Sequence, residues 1–137
     1  MSNRVGYLTY VFEQLVIYSL LIDDDGLVQG WRIISDPREL PQARINADSI
    51  ALPLKIRFGG RNWTCVDLPR REGEQPLAGT YMKERCEQTS EGRYITMETH
   101  RYLQPGQRSG AVTPQEGEFE VWVRLEVINA ELVTSRN

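Results

Sequence analysis

Phe119, Val121, Val123, Leu125 and Val127 alternate without a break with Glu118, Glu120, Trp122, Arg124 and Glu126. Successive side chains of a β-strand point to opposite faces, so this run fits a strand with one apolar and one polar face. On a helix the same apolar residues would be scattered round the circumference. The chain must therefore build a sheet that buries one face and leaves the other to solvent, a second layer or a partner. After Val127 the apolar phase moves to Ile128, Ala130 and Leu132, from which a bulge or bend is expected.

The rest of the chain supplies partners for that strand. Val16 to Ile22 and Leu27 to Ser35 flank Asp23-Asp24-Asp25-Gly26, a strong turn signal, and predict a hairpin. Before it, Leu8, Val11, Phe12, Leu15 and Val16 would fit a helical stripe, but the Val, Thr and Tyr content of residues 4–13 favours a strand. Pro37, Pro41 and Pro53 punctuate residues 36–53, which read as a connector crossing one end of the sheet, with a short helix after Pro41. Gly59-Gly60 accepts the positive φ of a tight turn and predicts a hairpin of Leu54–Phe58 with Arg61–Leu68. In that register Phe58 faces Arg61, Ile56 faces Trp63 and Leu54 faces Cys65.

A loop over Pro69–Leu77 leads to a further hairpin, Gly79–Gln88 with Arg93–Leu103, turning at Glu91-Gly92. Its register sets Cys86 against Met97, Arg85 against Glu98 and Tyr81 against Tyr102. Residues 104–117 are rich in Gly, Pro and polar residues and predict a mobile loop; residues 133–137 are expected to fray. The fold class expected is all-β with one or two short helices, a small barrel or sandwich of about six antiparallel strands. A length of 137 residues suits one domain over 1–137.

Composition narrows the function. Apolar residues at 40% and charged residues at 26% allow an ordinary globular core. The apolar stretch Val5–Ile22 is broken by Glu13 and Gln14, which argues against a membrane span. Met1-Ser2-Asn3-Arg4 does not resemble a secretory signal, so a cytoplasmic chain without a membrane partner is expected. Cys65 and Cys86 form no Cys-x-x-Cys pair; buried free thiols are expected, with a disulfide as the competing reading. One histidine, His100, cannot assemble a local zinc site, so neither metal nor cofactor is expected. Asp23, Asp24 and Asp25 could draw a cation, but an EF-hand loop beginning at Asp23 would need glutamate where Ile34 stands. A net charge of −3 provides no global positive field for nucleic acid. Fourteen arginines against two lysines, Lys55 and Lys83, still favour planar contacts to phosphate or carboxylate.

Two sites carry chemistry in this reading. His100 would act as a general base oriented by Glu98, or else be a solvent-facing strand residue, and no nucleophile motif accompanies it. The second is a β face on which Tyr81, Lys83, Arg85, Tyr94, His100 and Tyr102 interleave aromatics with cations. Trp122, on the polar face of its own strand among Glu120 and Arg124, calls for a covering layer or a partner chain. These seven residues are the candidate binding set, with Arg57, Arg61, Arg70 and Arg71 as candidate phosphate contacts. The function expected is a non-catalytic interaction module, an inhibitor, adaptor or assembly-type protein that binds another protein and self-associates as a homo-oligomer. The alternative is a barrel for single-stranded nucleic acid or nucleotides, in which each stacked base contributes about 1–3 kcal/mol. Glu87 and Glu98 on the same face count against a pure phosphate track.

Overall fold

The computed structural model describes residues 3–60, 62–106 and 118–130. Arg61, most of the loop expected at 104–117 and the tail at 133–137 lie outside the described residues. The strands are β1 (Asn3–Val11), β2 (Gln14–Ile22), β3 (Val28–Ser35), β4 (Thr64–Asp67), β5 (Met82–Ser90), β6 (Arg93–Leu103) and β7 (Phe119–Asn129). They form one antiparallel sheet in the order β1-β2-β3-β7-β6-β5-β4. The all-β class is therefore as expected. The sheet is open, with β1 and β4 as its edges.

Each predicted hairpin that rests on a polar turn is present. Asp23 closes the β2–β3 turn by accepting the backbone N–H groups of Asp25 and Leu27 at 2.9 Å each. Glu91 and Gly92 both take positive φ between β5 and β6, and Cys86 opposes Met97 while Arg85 opposes Glu98. No bend interrupts the strand as far as Asn129: the β6–β7 ladder runs unbroken from Arg93↔Asn129 to Leu103↔Phe119, and Leu132 lies outside the described residues. The register shift lies instead at Leu21/Ile22. Ile128 is buried by its neighbours Gly30 and Tyr94 on the opposite face from Val127.

The Gly59-Gly60 hairpin is not formed. Leu54–Phe58 lies within a helix, α2 (Ala51–Gly59), and only Thr64–Asp67 of its supposed partner is a strand, paired with β5. Pro53 is tolerated in the first turn, where its missing N–H is not needed. Ile50, Leu54 and Phe58 recur every four residues and face the sheet, where Ile50 and Leu54 are buried among Val16, Ile33, Met97, Val123 and Leu125. The carbonyls at the helix end find side-chain donors: Trp63 Nε1–H donates to Lys55 O at 2.8 Å and Gln88 Nε2–H to Phe58 O at 2.8 Å. Gly59 is required because a Cβ there would meet Trp63 Nε1 at 2.5 Å. Gly60 turns the chain out with φ 53°. The glycine pair marks a helix end, and the strand alternation of Leu54, Ile56 and Phe58 leaves Ile56 in solvent.

The segment before α2 also belongs to the core, against the expectation of a mere connector. The short helix α1 (Pro41–Arg44) forms after Pro41 as read, and a 3₁₀ turn (Ala47–Ile50) follows, burying Ala47 and Ile50. Arg101 of β6 ties this segment down, donating to Ile45 O at 2.9 Å and Asp48 Oδ1 at 3.0 Å. A second apolar cluster, with Leu77, Leu103, Phe119 and Val121, sits beneath it.

The cysteines are not free thiols. Cys65 and Cys86 stand directly opposite each other across β4 and β5 and are joined by a disulfide, with Cα atoms 4.0 Å apart. Cys86 points to the helix-covered face, as its pairing with Met97 required. The β4–β5 pairing that brings Cys65 to it is hidden in the sequence by the expected pairing of Arg61–Leu68 with Leu54–Phe58. Among the described residues no helix is long and apolar enough to cross a membrane.

Candidate functional site

The face of the sheet away from α2 carries the residues singled out above. Lys83 and His100 are cross-strand partners on β5 and β6, and His100 in turn faces Trp122 on β7. Tyr102 follows His100 on the same face. Tyr81 lies just before β5 and stacks on Tyr102 with ring centroids 5.4 Å apart. The loop before it is pinned to the sheet by reciprocal backbone hydrogen bonds between Gln75 and Leu103. That pinning delivers Glu74, which no motif in the sequence marks, into the middle of the group.

Glu74 is 2% exposed. Its Oε1 accepts from the Tyr81 hydroxyl at 3.0 Å, the Lys83 ammonium at 3.3 Å and the Arg71 backbone N–H at 2.8 Å. Arg70 donates to the carbonyl of Glu74 at 2.7 and 3.2 Å and lies 4.2 Å over the Tyr81 ring. Lys83 lies 5.3 Å over Tyr102. Burial pushes the Glu74 carboxyl up, but the Arg71 N–H, the Tyr81 hydroxyl and Lys83 outweigh it and hold the group below the usual carboxylate range. Burial raises the Tyr81 phenol, with the Glu74 charge adding to it. Tyr102 is raised further, by burial first and then by the charges of Glu74 and Glu120.

His100 is buried, not solvent-facing. One ring nitrogen, Nε2, lies 2.8 Å from Glu98 Oε1 and the other, Nδ1, lies 3.3 Å from the Tyr102 hydroxyl. Its ring stacks on Trp122 at 3.9 Å with planes 14° apart. With both nitrogens engaged, the imidazole offers no free position to a substrate. Trp122 is accordingly covered on one side from within the chain, and Arg124 lies 5.6 Å from its ring while donating to Glu98 Oε2 at 2.8 Å.

Further along the strands Arg85 donates to the Tyr94 hydroxyl at 3.2 Å and lies 3.9 Å from Glu87, and Tyr94 donates a short hydrogen bond to Glu87. The fold thus brings together Tyr81, Lys83, His100, Tyr102, Trp122 and Arg70, with Arg85 and Tyr94 as an adjoining pair. Arg71 contributes its backbone N–H. Arg57 is not part of the group: it is exposed on α2, which covers the other face of the sheet. On this face Lys83, Arg85 and Arg124 are paired with Glu74, Glu87 and Glu98. The polar face holds itself together.

Exposed apolar side chains occur at several places, among them Leu27, Val28, Leu40, Leu52 and Val66, and four fall close together in sequence at one edge of the sheet. Tyr7, Leu8, Tyr10 and Phe12 belong to β1 and its turn, with Tyr7 61% and Tyr10 71% exposed. β1 is a nine-residue strand at the edge of the sheet. The β1–β2 turn, Phe12-Glu13, has φ of 46° and 68°, a left-handed conformation costly for residues with a Cβ. Tyr7 starts a row of rings that runs inward through Tyr18, Trp31 and Phe58, with successive centroids 5.4, 5.8 and 5.3 Å apart. The sequence signal was present, since Tyr7 and Leu8 are apolar on opposite faces. Only the strand order shows that they lie at an edge.

Comparison of the chain with protein-family models, with curated proteins and with solved structures finds no match in any of the three.

The carboxylates of this region set an acid limit. Asp36 is also held below its ordinary value near 3.8: burial raises it, and the hydrogen bonds and charge of Arg38 more than reverse that. The ordinary value for Glu74 is near 4.5. Both groups bind protons more weakly folded than unfolded, so their stabilisation is complete above the unfolded values and is lost as pH falls through the folded ones. The melting temperature is expected to stay level between about pH 5 and 7 and to fall below about pH 4. In Glu74→Gln the acid limb of a Tm-against-pH profile should be shallower. An identical limb would remove Glu74 from the account.

Proposed function

We propose that this chain is a non-catalytic interaction module that binds another protein by strand addition at the β1 edge. The observation that carries this reading is the set of exposed apolar residues, Tyr7, Leu8, Tyr10 and Phe12, on a long strand whose outer edge has no partner among the described residues. An unpaired edge presents backbone donors and acceptors, and natural proteins usually blunt it with prolines, lysines or short strands. β1 has no proline and no lysine, and its one charged residue is Arg4. Adding a strand there would satisfy those backbone groups, while side-chain pockets on alternating positions would give specificity. Phe12, exposed in the two-residue turn that its positive φ closes, extends the apolar character of this edge to the end of the hairpin.

The Tyr–Arg face serves in this reading as the scaffold behind the edge. A nucleic-acid track along Tyr81, Arg85, Tyr94 and Tyr102 would have to displace Glu74 and Glu87 from the groups they already hold. The Cys65–Cys86 disulfide supports an oxidising compartment over the cytoplasmic one expected from the sequence.

The test is capture of partner from host extract by three immobilised proteins: wild type, Tyr7→Lys/Tyr10→Lys, and Arg85→Glu/Tyr94→Ala. The β1 pair is expected to lose at least about tenfold of capture, the equivalent of 1.4 kcal/mol. The face pair should retain it. The reverse pattern would return the binding surface to the Tyr–Arg face.

A further inference from the structure

We infer that the occupant of the β1 edge is β1 of a second copy of this chain, paired antiparallel about a two-fold axis at Tyr7. This rests on the edge reading given above. Tyr7 is the midpoint of Asn3–Val11, so only a register centred there pairs all nine residues of the strand with their counterparts. Position 7 then meets 7, 6 meets 8, 5 meets 9, 4 meets 10 and 3 meets 11. The axis stands perpendicular to the sheet, so each face of one copy continues into the same face of the other.

Three features fit that register. Arg4, the single charge of β1, meets Tyr10 and never its own copy, so no like charges oppose each other. Gly6 meets Leu8, setting the one position without a side chain against a branched one. Gly6 lies where a Cβ would approach Tyr18 O at 2.9 Å, which fixes glycine there for reasons internal to the hairpin. The ring row Phe58–Trp31–Tyr18–Tyr7 would run across the axis into the Tyr7–Tyr18–Trp31–Phe58 row of the other copy. The pairing is also closed: it uses the β1 edge of each copy and, among the described residues, leaves β4, four residues long, as the free edge.

The exposed parts of Tyr7, Leu8 and Tyr10, which lie within the paired register, amount to roughly 400 Å² per copy, or about 800 Å² in total, below the range of stable specific interfaces. The dimer is therefore weak and depends on concentration.

Sedimentation velocity from low to high micromolar protein is expected to show a reversible monomer–dimer transition. Tyr7→Lys sets two like charges at the axis and should weaken the dimer at least about tenfold, with unchanged far-UV circular dichroism. Tyr7→Cys under a mild oxidant should give a covalent dimer, and Tyr10→Cys should not, because only position 7 meets itself. The native cysteines are already paired with each other and do not compete. A dimer that ignores Tyr7→Lys, or that cross-links through Tyr10→Cys and not Tyr7→Cys, would overturn the register and the inference. A wild type that stays monomeric throughout would overturn the second copy as occupant. In that case capture from host extract decides the underlying reading: loss in Tyr7→Lys keeps the edge with a different partner, and unchanged capture removes the edge as well.

Discussion

Leu54→Ala is expected to lower the free energy of unfolding by about 3 kcal/mol, the middle of the range for a fully buried leucine. Leu54 is 2% exposed and packs in the cluster that joins α2 to β2, β3, β6 and β7. Few neighbours can collapse into the space, because the sheet beneath is held by ladders on both sides and Ile50 lies one turn away in the same cluster. The matched control is Ile56→Ala. Ile56 is 63% exposed on the outer side of the helix, so its loss should cost less than about 0.5 kcal/mol. In the hairpin expected from the sequence, Leu54 and Ile56 share one buried face and would cost alike. Urea unfolding of both variants separates the two arrangements, and equal losses would contradict the helix.

Glu74→Ala is expected to cost about 3 kcal/mol. Removing one partner of a buried charged group leaves the others desolvated and unpaired, and the penalty exceeds the worth of the pair itself. Here the Lys83 ammonium, the Tyr81 hydroxyl and the Arg71 N–H would all lose the same acceptor. Glu74→Gln keeps an acceptor oxygen and should cost roughly half as much. A loss under about 1 kcal/mol in Glu74→Ala would mean that the Tyr–Arg face is loosely held. That result would reopen it as a binding platform.

Both predictions turn on what the sequence made legible and what it did not. The β2–β3 turn was readable because Asp23 closes it locally, with its own carboxylate on Asp25 and Leu27. The β5–β6 register was readable because a two-residue turn fixes every pair beyond it, so Cys86 had to meet Met97. β7 declared itself by alternation alone. The helix α2 did not, because Leu54-Lys55-Ile56-Arg57-Phe58 satisfies a period of two as well as the four-residue spacing from Ile50. The choice was made by Trp63 and Gln88, whose side chains reach the helix carbonyls from elsewhere in the chain. With Leu54–Phe58 read as a strand paired to Arg61–Leu68, β4 loses its true partner and the Cys65–Cys86 pairing goes with it.

The candidate site was half legible. Shared strand faces predicted that Lys83, His100 and Tyr102 would gather, and they do; that Trp122 joins them follows from the β6–β7 pairing, which the sequence did not show. The buried acceptor for Tyr81 and Lys83 was not predictable, because Glu74 is carried to them by a loop of no regular pattern. Tyr7, Leu8, Tyr10 and Phe12 were visible as residues, but an edge is a property of strand order. The value of an exposed aromatic depends on that order.

Amide hydrogen exchange with and without bound partner tests the central claim most directly, with partner supplied from host extract and, in a parallel arm, as the chain itself at high concentration. The account predicts new protection on the amides of β1, residues 3–11, while β5 and β6 keep their exchange rates. Protection confined to β5 and β6, with β1 unchanged, would contradict it.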